Sequence, residues 1–193
     1  MKILTLIILT IGLSSFSNSQ ELTEVSFENK VDSFLSTFSE EFSESTERFT
    51  NSQNNDFTLE TKVTSQWKKI VTLKKKSSYK NHYDQLVYQR LFMGFLEFKD
   101  SNSCSTAFKT LMTCLGTDCA DVNWGNELMG IKTTPFIFIK TEREIIFCKI
   151  YCEHKNDFWT SFKKDLIDNF TVSGAKIIEA ECGGALKFEE VKK

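Results

Sequence analysis

The stretch Leu91–Met112, "LFMGFLEFKDSNSCSTAFKTLM", changes its hydrophobic period partway along. Leu91 to Phe98 is a near-continuous apolar run, as in a central strand buried on both faces. From Cys104 to Leu115 the period is helical. Phe108, Leu111, Met112 and Leu115 fall at i, i+3, i+4 and i+7, which predicts an amphipathic helix. Strand, short polar turn and helix therefore follow one another directly.

Working toward the C-terminus, Cys119 to Trp124 reads as a short strand and Glu127 to Met129 as a brief helical turn. "PFIFIK" and "EIIFCKIY" then form two strands joined by Thr141-Glu142-Arg143, a hairpin-length connection. Asn156 or Asp157 can cap a last helix carrying Phe158, Trp159, Phe162, Leu166 and Phe170. Toward the N-terminus, Trp67 to Leu73 reads as a strand, and Tyr79, Tyr83, Leu86 and Val87 give Tyr79–Gln89 helical spacing. The alternation of strands and helices, closing on a hairpin and a helix, predicts an open sheet with helices on both faces.

Charge is uneven along the chain. Residues 21–50 hold eight acids against Lys30 and Arg48, whereas residues 61–80 hold seven lysines and no acid. The two segments could attract each other, but exposed ion pairs contribute little, and two solvated faces are the expected outcome. Within the acidic part Phe27, Val31, Phe34, Leu35, Phe38, Phe42 and Phe49 form one helical stripe, expected to pack on the domain that follows. "NSQNND", Asn51–Asp56, reads as a polar linker.

Lys2, the apolar run Ile3–Leu13 and an end over residues 14–19 with Ser17 and Ser19 as the small cleavage-site residues have the form of a cleaved secretory signal. The run is shorter than the roughly 18 residues a spanning helix needs, so no membrane span is expected. Removing Lys2 moves the formal charge from −2 to −3, giving no reason to expect nucleic acid or an anionic membrane as partner. Six cysteines, all beyond residue 100, would pass through an oxidising compartment, and fifteen full pairings are open to them. Asn169-Phe170-Thr171 fits the N-glycosylation acceptor pattern.

Over roughly residues 66–171 the chain resembles the thioredoxin-like domain of thioredoxins and protein disulfide isomerases. Leu91–Met112 is similar to the family's second strand, active-site turn and second helix. "DCADVNWGNELMGIKTTPFIFIK" is similar to its third strand, a shortened third helix and the approach to the family proline. "TEREIIFCKIY" and "NDFWTSFKKDLIDNF" are similar to its terminal hairpin and helix. The resemblance implies an α/β fold with a mixed β-sheet flanked by helices, preceded here by an N-terminal amphipathic helix. It places Pro135, the single proline of the chain, at the family's cis-proline, with Thr134 offering backbone hydrogen bonds to an extended peptide.

The family's Cys-x-x-Cys pair is degenerate here. In one alignment Cys104 is the first cysteine and Ala107 replaces the second; in the other Ser101 replaces the first and Cys104 is the second. A thiol near a helix N-terminus is favoured as thiolate, the nucleophilic form, so Cys104 is the candidate catalytic residue. The plainer reading is a structural disulfide or an inert thiol. Cys104 and Cys114 on one helix would lie about 15 Å apart, too far to bond. Cys148 and Cys152 on one regular strand would be roughly 13 Å apart, also too far. Cys114 and Cys119 flank a turn, and Cys182 can tie the tail to Cys148 or Cys152. Cys148, Cys152 and His154 lack the fourth ligand and the spacing of a zinc site, so no metal or other cofactor is expected. His82 and the Lys74–Lys76 run read as solvated.

The expected organisation is a signal peptide over 1–19, an acidic amphipathic helix and polar linker over 20–60, a thioredoxin-like domain over 61–172 and a C-terminal tail over 173–193. The leading expectation is a secreted or ER-luminal protein that binds polypeptide or thiol-bearing protein clients beside Thr134 and Pro135. One alternative is a thiol–disulfide oxidoreductase using Cys104 with a resolving Cys114, Cys119 or Cys148. Another is a secreted, disulfide-stapled helical interaction protein.

Overall fold

A computed structural model describes residues 25–45, 63–81, 83–113, 134–154, 157–183 and 186–192. The expected signal peptide, the linker Asn51–Asp56, His82, Phe49, and the strand and turn expected over 119–129 lie outside these residues, as do Cys114 and Cys119.

Helix α1 spans Phe27–Ser36, β1 Phe42–Ser45, β2 Trp67–Lys80 and β3 Leu86–Glu97. Helix α2 spans Ser101–Thr113, β4 Phe136–Lys140, β5 Glu144–Lys149 and α3 Asp157–Phe170, with a short 3-10 turn at Cys152–His154 before α3. The chain then adds β6, Lys176–Ala180, and β7, Leu186–Glu190. The strands form one seven-stranded sheet in the order β1-β2-β3-β5-β4-β6-β7. Each neighbouring pair is antiparallel.

This is a mixed helix–strand fold, and it corrects two sequence expectations at once. The sheet is antiparallel where a mixed sheet was expected, and the wholly helical alternative fails on seven strands. Strand β3 pairs with β5, so the second strand of the Thr141–Arg143 hairpin lies between β3 and β4.

The helix expected over Tyr79–Gln89 is instead the turn of a long β2–β3 hairpin. The Asn81 side-chain oxygen accepts from the backbone N–H groups of Tyr83 and Gln85, at 2.9 and 3.0 Å. Asp84 takes φ of 60°, the left-handed conformation that short polar residues tolerate. Tyr79, Tyr83, Leu86 and Val87 owe their helical spacing to a strand, a turn and a second strand. The supposed tail, 173–193, supplies two paired strands.

Alternation along β3 feeds two cores. Leu91, Met93 and Phe95 face the front, where α1 and α3 pack with Phe27, Phe34, Trp159, Phe162 and Phe170. Leu96 faces the back, where α2 packs with Cys104, Phe108 and Leu111 against Phe136, Phe138 and Phe147. Helix α1 is shorter than its stripe. Ser26 caps it by accepting from the Asn29 N–H, and it ends at Ser36, leaving Phe42 to enter β1 as a strand residue. The stripe packs on the domain, with Phe34 in edge or tilted contact with Phe38, Phe95, Phe162 and Phe170. The acidic and lysine-rich segments meet in partly exposed ion pairs, the attraction the charge pattern allowed. Lys69 meets Asp32 at 2.9 Å and Lys75 meets Glu41 at 3.1 Å. These pairs form because β2 runs alongside β1 and beneath α1.

Candidate functional site

Cys104 sits one turn into α2. Asp100 caps that helix, its carboxylate accepting from the Ser103 N–H at 2.7 Å, a bond that holds the Asp100 carboxyl below its ordinary pKa. The Cys104 N–H already donates to the Asp100 carbonyl, so it is not one of the open donors of the helix end. The thiol points inward with 0% exposure, toward the carbonyls of Thr141 and Glu144 at 3.9 and 3.7 Å. Burial raises its pKa to about 11, with Lys140 pulling down and Glu144 pushing up. A thiol in that state is not a nucleophile at neutral pH.

Cys148 is also free and buried, and burial pushes its pKa well above the ordinary range. It belongs to the front core and Cys104 to the back core, so the sheet separates the two thiols. The oxidoreductase pairing of Cys104 with Cys148 is therefore not assembled. Cys152 bonds Cys182, with Cα atoms 5.4 Å apart, taking one of the two options open for the tail.

Pro135 precedes β4 directly, and the Thr134–Pro135 bond is trans, correcting the cis bond expected there. Proline is accommodated at the start of a strand because its missing N–H breaks no interior ladder bond, and trans is the lower-energy isomer. Its carbonyl accepts from the Ile150 N–H at 3.0 Å, extending the hairpin. Cys104 touches Thr141, at the other end of β4. Six residues of strand at about 3.3 Å each put roughly 20 Å between the two ends. Thr134, Pro135 and Cys104 thus do not share a groove.

Asn169 is exposed near the end of α3, and its side-chain amide donates to the Asp165 carbonyl at 2.8 Å. Thr171, the third residue of the acceptor pattern, is mostly buried and its hydroxyl donates to the Ile167 carbonyl. The helix end therefore occupies the polar groups of the pattern in the folded chain.

A cleft of about 1080 Å³ opens between α1, the end of α3 and the β4–β5 turn. Phe27, Phe34 and Phe38 supply an apolar wall. Lys30 and Arg143 stand against four carboxylates, Glu97, Glu142, Glu144 and Asp165. Its rim is ordered by the turn: Thr141 donates to the Glu144 carboxylate at 2.6 Å, and Arg143 donates to the Phe98 carbonyl at 3.2 Å while reaching Glu97 at 3.6 Å. The lining holds no cysteine and no histidine. Sequence reasoning missed this site because its parts lie on three elements far apart in the chain. The aromatic stripe of α1 was the one visible signal.

Among the described residues, no cluster of His, Cys, Asp and Glu could hold a metal ion, and no helix is long and apolar enough to cross a membrane. No protein-family model, curated protein or solved structure matches the chain.

Proposed function

We propose that this is a binding protein of the secretory route that holds extended polypeptide in the cleft between α1, α3 and the β4–β5 turn, without thiol chemistry. The observation that carries the reading is the lining of the cleft, an aromatic wall facing a polar rim with no thiol. Apolar surface with a few ordered polar groups is the usual make-up of a recognition site. Four carboxylates against two cations favour a basic ligand. The secretory assignment rests on the form of residues 1–19 and is compatible with the Cys152–Cys182 disulfide. What is kept from the thioredoxin resemblance is polypeptide binding alone; the groove beside Thr134 and Pro135 is replaced by the cleft.

Fluorescence polarisation with a panel of unstructured peptides tests the proposal. Basic peptides carrying aromatic residues bind, and Asn169→Trp, which fills the mouth of the cleft from an exposed position, abolishes binding. Equal binding by Asn169→Trp, or no binding by any peptide, overturns the assignment. Alkylation of the native protein followed by peptide mapping tests the thiol half. Cys104 and Cys148 stay unlabelled until denaturant is added, and labelling of native Cys104 would restore a redox role.

A further inference from the structure

The turn Cys152–His154, between β5 and α3, lies at the end of the sheet remote from the β4–β5 turn and is held from two sides. Toward β2 and β3, the Tyr79 hydroxyl donates to the Glu153 carbonyl at 2.9 Å, and Gln89 donates to the His154 carbonyl at 3.3 Å. Toward β6 and β7, the Cys152–Cys182 disulfide ties the turn to the β6–β7 connection.

Both halves of that covalent tie are open to solvent. Cys152 and Cys182 are exposed residues, as are Glu153 and Gly183 beside them. Exposed disulfides are the labile class, open to attack by a thiolate. Behind the bond, the turn buries His154 completely. The single proton of the Tyr79 hydroxyl goes to the Glu153 carbonyl, so the His154 Nδ1–H donates to the hydroxyl oxygen at 2.6 Å. Nε2 then carries a bare lone pair. It has no hydrogen-bond partner among the described residues, and the Glu153 carboxylate stands 3.9 Å away. A buried polar atom left unmatched favours any motion that brings it to water. The corner thus has a covalent clasp outside and an unmatched ring nitrogen inside.

We propose that Cys152–Cys182 is a reducible clasp, opened by a dithiol while the two cores stay closed, and that its opening lets water reach the His154 ring. A thiolate of the dithiol attacks one sulfur of the pair and breaks the S–S bond. The other cysteine leaves as a thiolate and takes a proton from water. The second thiol of the dithiol, once deprotonated, attacks the mixed disulfide, releases the first cysteine and closes its own disulfide. Two electrons pass from the dithiol to the clasp, and both cysteines end as thiols. A monothiol does less. The freed cysteine stays tethered beside the mixed disulfide, across a Cα–Cα separation of 5.4 Å in the closed turn, and expels the monothiol again. Cys104 and Cys148 take no part, because each is buried in a core. The clasp follows the end of β5 opposite to Glu144 on the cleft rim, so the proposal does not depend on what the cleft binds.

Reduction of the full chain under native conditions decides the matter. In dithiothreitol without denaturant, peptide mapping after alkylation finds Cys152 and Cys182 labelled at least about tenfold faster than Cys104 and Cys148. Reduced glutathione at the same thiol concentration leaves the pair mostly oxidised. Nuclear magnetic resonance then follows the His154 ring, with His82→Gln to assign its signal. Among the described residues, the titratable and charged groups facing that ring are Tyr79 from β2, Arg90 from β3, and Tyr151 and Glu153 from the turn side. With the clasp closed, burial and then the Arg90 charge hold the ring's pKa at about 4. In the reduced chain it moves up toward the ordinary value of about 6.5. An unchanged far-ultraviolet circular dichroism spectrum after reduction separates local opening from unfolding. Resistance to dithiothreitol until denaturant is added, labelling of all four cysteines at one rate, or an unmoved His154 titration in the reduced chain overturns the proposal.

Discussion

The two faces of the sheet are built by the same strands and finished differently. In β3, odd-numbered residues serve the front and even-numbered residues the back. The front is closed by α1 and α3 through a network of phenylalanine rings centred on Phe34. The back is closed by α2 over the β4–β7 half, where Phe108 meets Phe138 edge-on. Sheet alternation sorts side chains to faces, and the helices laid over each face set much of how far it is buried. Among the described residues, the front makes a core and a cleft, and the back makes a second core under α2.

The largest effect should come from the front. Phe34→Ala removes a ring buried among four others and should cost about 3–5 kcal/mol, read from urea denaturation. Phe108→Ala, in α2, should cost somewhat less, because that ring keeps 7% exposure against 4% for Phe34. Equal losses would break the asymmetry.

The disulfide should come next. Cys152 follows β5 and Cys182 follows β6, closing a separation of 30 residues. Loop closure of that size gives about 3.5 kcal/mol. The Cys152→Ser, Cys182→Ser double variant should lose that amount, measured by the same denaturation.

Beside Cys152 lies His154, fully buried, with its Nδ1 atom 2.6 Å from the Tyr79 hydroxyl. That hydroxyl also donates to the Glu153 carbonyl at 2.9 Å. The His154 carbonyl accepts from Gln89, and Nε2 stands 3.9 Å from the Glu153 carboxylate. Burial first, and then the nearby positive charge of Arg90, lower the His154 pKa from 6.5 to about 4. The folded state therefore keeps the ring neutral while the unfolded chain takes up a proton. Stability is unaffected above pH 6.5 and falls as the pH drops from 6.5 toward 4, by about 3 kcal/mol in all. Urea midpoints across that window should show the decline, and His154→Gln should flatten it. An unchanged slope in that variant would assign the acid sensitivity to other groups.

The sequence made local structure readable and pairing much less so. The Leu91–Phe98 strand, the helix through Phe108 and Leu111, the β4–β5 hairpin and the helix begun by Asp157 all follow from local period and capping. The Lys74–Lys80 stretch hid the continuation of β2, because polar residues and an irregularity between Lys74 and Ser78 break its alternation. Strands β6 and β7 are five residues each and near the sheet edge, too short to stand out from a tail. That β4 lies between β5 and β6 is fixed by contacts some forty residues apart, such as Phe138 opposite Ile178, which no local pattern encodes. The cleft shares this property, whereas the burial of Cys104 was foreshadowed by its place on the apolar side of its helix.

Gly94 offers the finest test of the back face. It sits opposite Phe147 on β5, and a methyl group added there would overlap the Phe147 ring. That ring is itself buried beside Phe136 and Phe138, so it has little room to yield. Gly94→Ala gains strand propensity of about 0.5–1 kcal/mol but incurs overpacking of about 1–3 kcal/mol. A net loss of about 1–2 kcal/mol should follow. Phe147→Leu in the same chain should recover part of that loss, although it is destabilising alone, because the two side chains compete for one space. Full additivity of the two substitutions would mean that the ring swings aside. The back core would then be loosely packed, and the contrast with the front would be sharper still.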